Sequence, residues 1–150
     1  MSFPLPARHD HVGSFLRPKF LLEARERKAK GEISADELRK VEDRAISEIV
    51  AFQRDVGLKA ITDGEFRRTW FHIDFLEQLS GVATDIPVAL INPDGSKQFA
   101  PPGIRVVDRI RHTRNIQVDD FNYLKSQLPA GTRAKVTICL LYTSPSPRDQ

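Results

Sequence analysis

The sequence predicts an α/β fold, and three observations carry that prediction. His11-Val12-Gly13-Ser14-Phe15-Leu16-Arg17-Pro18 and Asp63-Gly64-Glu65-Phe66-Arg67-Arg68 each place a glycine and polar groups between an apolar segment and a helical pattern. This is where α/β proteins build their sites. A strongly amphipathic helix precedes the short apolar segment Leu58–Thr62, which runs straight into the second of these loops. That succession is the pattern of a parallel barrel strand ending at its functional loop. A second helix-then-strand unit follows near residue 118.

Taken in order, residues 1 to 8 are Pro-rich and read as a loose entry, and Arg8 to Ser14 as a short first strand. Pro18 suits the first position of a helix, where its missing N–H is not needed, and that helix runs to about Lys30 and stops at Gly31. Ser34-Ala35-Asp36-Glu37 is a capping box. Leu38, Val41, Ala45, Ile49, Phe52 and Val56 then recur at spacings of three and four, with Gly57 as a left-handed stop. Trp70 to Leu79 reads as a further helix. Val82 to Phe99 reads as an inserted β-hairpin turning at Asn92-Pro93-Asp94-Gly95, and Ile104 to Ile110 as a strand. A helix from Val118 to Leu128, broken by Pro129-Ala130-Gly131, leads to a last strand, Ala134 to Ile138.

Composition excludes several classes. With 40% hydrophobic and 29% charged residues, the 150-residue chain is ordinary for a globular protein. The net charge of +3 is spread through interleaved acids and bases such as Glu23, Arg25, Glu26, Arg27 and Lys28, which argues against a nucleic-acid footprint. No apolar run approaches the ~20 residues of a membrane span and no signal pattern is present, so a cytoplasmic location and no membrane partner are expected. The single cysteine, Cys139, leaves no disulfide to form within residues 1 to 138. Arg105, Arg109, Arg111 and Arg114 make the one basic stretch, read either as a solvated strand edge or as an attraction for an anionic ligand.

Chemically, Gly13 lets backbone approach a ligand and Ser14 adds a hydroxyl, a combination suited to a carboxylate, while Glu65 offers an anion for an ammonium group. Together these loops can hold the two ends of an amino acid. His9 and His11, two apart on a first strand, face the same way and offer a competing metal site of the amidohydrolase kind. Trp70, Phe71 and Phe75 offer a non-enzymatic anchor or, at helical spacing, packing. His72 and His112 are isolated.

The order of these motifs, from His11-Val12-Gly13-Ser14-Phe15-Leu16-Arg17-Pro18 through a helix pair to Ile61-Thr62-Asp63-Gly64-Glu65-Phe66-Arg67-Arg68, resembles the start of the catalytic barrel of the cobalamin-independent methionine synthase family, in its short single-barrel branch, over residues 8 to 138. The resemblance implies a (β/α)8 barrel, of which this chain holds the N-terminal portion, three or four strands with an inserted hairpin. It implies methyl transfer from 5-methyltetrahydrofolate, as the polyglutamate, to the thiol of homocysteine. It also implies a zinc ion held by one His, two Cys and an acidic residue in later strands, beyond residue 138. Val12, Gly13 and Ser14 match the family's contacts to the substrate carboxylate, Glu65 the acid that binds its ammonium, and Arg105 a folate contact. The long methionine synthases have His where this chain has Asp63. A related short-branch chemistry, zinc-dependent alkyl transfer to coenzyme M, stays open, although coenzyme M carries no ammonium for Glu65 to bind. Cys139 to Asp149 resembles one reading frame of a transposase sequencing adapter, so residues 139 to 150 are expected to be a non-native tail and the fragment itself to be inactive.

Overall fold

The computed structural model describes residues 10–71, 73–86, 90–91, 93–98 and 103–138. His9, His72, the Pro-rich start, Cys139 and the tail expected to be non-native lie outside them. The chain divides into two compact units, residues 1–68 with 119–137, and residues 69–118 with 138–150.

The first unit is built on two helices and one parallel strand pair. Helix α1, Lys19–Ala29, begins after Pro18 in extended geometry and ends at Lys30 before left-handed Gly31. Helix α2, Ala35–Asp55, starts with the predicted capping box, in which the Ser34 hydroxyl accepts from Glu37 N–H and Glu37 accepts from Ser34 N–H. Two donors that a helix start leaves without partners are thereby satisfied. Gly57, at φ 87°, turns the chain into β1, Ala60–Ile61.

The buried face of α2 is rotated from the predicted one. Glu42, Ala45, Ile46, Val50 and Gln53 are buried, whereas Phe52 and Val56 are both half exposed. Periodicity counts apolar residues, and here two polar side chains enter the interior because each finds partners there. Glu42 lies 3.7 Å from both Arg25 and Arg67, and Gln53 hydrogen-bonds backbone beyond the helix.

Strand β1 pairs in parallel with β6, Arg133–Ala134, in the register Ala60↔Arg133 and Ile61↔Ala134. Arg133 N–H donates to Lys59 O at 2.8 Å and Lys135 N–H to Ile61 O at 2.9 Å. The final strand is shorter than the predicted Ala134 to Ile138. Leu21, Ala45, Ile46, Val50, Ile61, Phe66 and Leu124 form the core of this unit, with Phe15, Phe20 and Tyr123 packed on it. Leu124 comes from α3, Val118–Ser126, close to the predicted helix.

The second unit carries β2, Ser80–Ile86, β3, Leu90–Ile91, β4, Lys97–Gln98, and β5, Gly103–Arg111. The inner antiparallel pair β3–β4 is the predicted hairpin around Pro93-Asp94-Gly95, although Asn92 and Phe99 lie outside the described residues. Strand β5 falls where a strand was read, but it pairs antiparallel with β2 in a two-stranded ribbon of its own, whose strands flank the hairpin in sequence. Among the described residues the parallel pairing is limited to β1–β6, fewer than the three or four barrel strands expected.

Two further expectations are corrected. Residues 10–14 form no strand, because their polar backbone is taken up by side chains and turns. The described residues of Trp70 to Leu79 form turns and one 3-10 helix, Leu76–Gln78, in place of an α-helix. Its aromatic and β-branched residues lose side-chain freedom against a preceding helical turn, and the start of the 3-10 turn has no side-chain cap.

Candidate functional site

Both motif loops lie in the first unit, and the structure brings them into contact. Phe15 N–H donates to Gly64 O at 3.2 Å, and Ser14 Oγ donates to Glu65 Oε2 at 2.7 Å. The residues proposed for the two ends of an amino acid are therefore neighbours although 51 positions apart.

The loop of residues 10–18 is anchored at both ends. Lys135 Nζ pairs with Asp10 and donates to His11 O at 2.8 Å. The Lys135 hydrogen bond holds the Asp10 carboxyl below its ordinary value. The His11 ring stacks on Phe15 with centroids 3.7 Å apart, and its Nε2 donates to Gly13 O at 2.9 Å. That nitrogen is committed to the turn at Gly13, whose φ is 90°. Val12 projects 77% exposed. Arg17 then donates from Nη2 to Glu65 O at 3.2 Å and to Arg68 O at 2.7 Å.

The loop after β1 is held more tightly. The fully buried Gln53 side chain accepts from Thr62 N–H at 3.0 Å and donates to Thr62 O at 2.8 Å, standing where a neighbouring strand would otherwise bond. Thr62 Oγ1 accepts from Gly64 N–H at 3.0 Å, and Asp63 Oδ1 accepts from Glu65 N–H at 2.9 Å. Burial raises the Asp63 carboxyl above its ordinary value, against the lowering pull of that N–H and of Arg68. Arg25 donates to Phe66 O and Arg68 O, so with Arg17 two guanidinium groups satisfy carbonyls that no sheet satisfies.

Glu65 is the focus of this arrangement. Its φ is 58°, next to Gly64 at 69°, so a side-chain-bearing residue occupies the left-handed region at a cost of about 1–2 kcal/mol. Its side chain is buried, with Oε2 accepting from Ser14, Oε1 accepting from Thr137 Oγ1, and Arg68 Nη1 3.8 Å from Oε1. Strain of this kind clusters at functional positions. Each oxygen of an ionised carboxylate accepts two hydrogen bonds, so after Ser14 and Thr137 each keeps capacity for an N–H donor. Arg67 faces elsewhere, pairing with Asp43, with Asp120 at 3.3 Å and with Glu42, under the Tyr123 ring. Neither arginine beside Glu65 is the surface neighbour that sequence reading allowed for.

Sequence reading missed Gln53, Arg17, Arg25 and Thr137 as supports. Arg17 lay within the quoted motif and was the one with a signal. Arg105 sits on β5 of the second unit, opposite Ala83. Among the described residues no three His, Cys, Asp or Glu side chains converge as a metal site, and none of their helices is long and apolar enough to cross a membrane.

Residues 8–136 match the family described as cobalamin-independent synthase, catalytic domain. The chain is 41% identical over 133 residues to YxjH of Bacillus subtilis (strain 168), described as an uncharacterized protein, covering 89% of this chain and 35% of that one. It is 33% identical over 115 residues to the 5-methyltetrahydropteroyltriglutamate–homocysteine methyltransferase of Thermotoga petrophila, covering 77% of this chain and 15% of that one. Among solved structures, a candidate vitamin-B12 independent methionine synthase from Listeria monocytogenes superposes with a TM-score of 0.70 at 41% identity, covering 89% of this chain and 36% of that one. The chain thus spans about a third or less of the length of these relatives.

Proposed function

The chain belongs to the cobalamin-independent synthase catalytic-domain family, and from that premise we propose that its two loops form the amino-acid end of a homocysteine pocket. The pocket would serve methyl transfer from 5-methyltetrahydrofolate, as the polyglutamate, to the homocysteine thiol, giving methionine. The observation that carries the reading is the contact between Ser14 and a strained, buried Glu65. In this reading Glu65 takes the substrate ammonium by a charge-assisted hydrogen bond. The backbone N–H groups at Val12, Gly13 and Ser14 take its carboxylate, the Ser14 hydroxyl proton being committed to Glu65. The Thermotoga relative's name, with its pteroyltriglutamate donor and homocysteine acceptor, supports the choice of substrates.

By the same resemblance we extend the proposal to a (β/α)8 barrel in a chain of the relatives' length, Arg105 as a folate contact, a cytoplasmic location and zinc as the thiol's activator. The described residues do not fit a zinc site, so the role proposed for them is confined to binding and orienting the amino-acid end.

Isothermal titration of L-homocysteine against coenzyme M tests the reading. Wild type should prefer homocysteine, and Glu65→Gln should weaken it by about 2–3 kcal/mol, the scale of a buried charge-assisted contact. Unchanged homocysteine affinity in the variant would return Glu65 to a structural role, and a preference for coenzyme M would move the site to sulfonate thiols.

A further inference from the structure

We infer that Thr137 is a positioning residue for Glu65, fixing the carboxylate so that it meets the substrate ammonium; this rests on the pocket proposed above. Glu65 accepts one hydroxyl on each oxygen, from segments far apart in the chain: Ser14 on Oε2 and Thr137 on Oε1. A carboxylate held at one oxygen can still swing about its terminal torsion, which is broad. Held at both, it presents its remaining lone pairs in one direction.

The position of Thr137 is set by the parallel register. Lys135 N–H closes onto Ile61 O, two residues before Thr137 on one side and four before Glu65 on the other. The same segment places Lys135 against Asp10 and His11 O, so it fixes both the loop that bears Ser14 and the oxygen of Glu65 that Ser14 leaves alone. Arg68 Nη1, at 3.8 Å, lies beyond ordinary hydrogen-bond distance and supplies charge more than direction. Directional control of Oε1 therefore falls to the Thr137 hydroxyl.

The test compares two ligands and three variants of the chain by isothermal titration. L-homocysteine carries the ammonium, and 4-mercaptobutyrate keeps the thiol and carboxylate without it. Thr137→Val removes the donor at nearly constant volume. It should lower homocysteine affinity by about tenfold, the scale of one hydrogen bond to a charged group, and leave mercaptobutyrate affinity unmoved. Thr137→Ser should restore homocysteine binding to within about twofold. Thr137→Ala makes the same cut if the valine variant fails to fold, as read by circular dichroism. Equal loss for both ligands, no loss, or failure of serine to rescue would overturn the role of Thr137 while leaving the pocket standing. Wild type that binds the two ligands equally would overturn the pocket reading itself, and the role of Thr137 with it.

Discussion

Gln53→Leu is the sharpest test of how the site is held. The side chain is fully buried and forms both hydrogen bonds to the backbone of Thr62, itself 2% exposed, and a third to Ile49 O at 3.1 Å. Leucine nearly conserves volume but leaves the Thr62 N–H and C=O without partners. Each orphaned backbone group costs about 1–3 kcal/mol, and the better burial of an apolar side chain returns about 1–2 kcal/mol. At mid-range, with about 4 kcal/mol lost and about 1.5 returned, the net loss should be about 2–3 kcal/mol in urea unfolding followed by far-ultraviolet circular dichroism. Val56→Ala is the control: it lies on the apolar stripe of the sequence but is half exposed, and should cost less than about 0.5 kcal/mol. If Gln53→Leu costs as little as the control, the strand end does not depend on Gln53, and the account of how Asp63, Gly64 and Glu65 are positioned fails.

Two further outcomes follow from the same structure. Gly81 has φ 83°, and a β-carbon there would lie 2.6 Å from Asp108 O, whereas Gly95, at φ 81°, faces open space. Gly81→Ala should therefore destabilise the β2–β5 ribbon by at least about 2 kcal/mol, strain plus collision, and Gly95→Ala its hairpin by about 1 kcal/mol, strain alone; equal losses by hydrogen exchange would refute the close approach of Asp108 O to Gly81. The Asp63 carboxyl is raised above 3.8, chiefly by burial, so the folded state holds its proton more tightly than the unfolded state. Its contribution is favourable at low pH and is lost as pH rises from about 3.8 through the folded value. The stability difference between wild type and Asp63→Asn should accordingly fall over that range in urea titrations, and a difference that grows with pH would show that Arg68 outweighs burial.

How much of this was legible in the sequence depends on whether the signal was local. The α2 start was readable because a capping box lies within four consecutive residues, and the β3–β4 turn because Pro93-Asp94-Gly95 sets its own geometry. The partner of β5 was not readable, since nothing local to residues 103–111 distinguishes a barrel strand from one arm of a ribbon. The face of α2 was misjudged because a hydrophobic count cannot know that Glu42 meets two arginines and Gln53 a strand end. The site divides in the same way. Gly13, Ser14 and Glu65 stood out as residue types that a plain strand-to-helix turn does not need. Thr137 and Gln53 are unremarkable in their own segments, and their contacts reach across 72 and 9 positions.

One feature of Glu65 is visible only in the backbone. Asp-Gly-Glu after an apolar run announces a turn, and the turn alone would be cheaper with glycine or asparagine at the second left-handed position. The chain places a glutamate there, its N–H donating to the Asp63 carboxylate, and surrounds its side chain with two hydroxyls and a nearby guanidinium. Burying a carboxylate is costly unless it is hydrogen-bonded, and these contacts offset that cost. Nothing in the folding of the loop calls for the anion. Under the pocket proposed above, the arrangement serves the ammonium that the carboxylate would take, and substitution by glycine separates the two roles. Glu65→Gly should leave the unit folded, with any stability it gains from relief of strain set against lost hydrogen bonds, and should still remove the preference for homocysteine over 4-mercaptobutyrate.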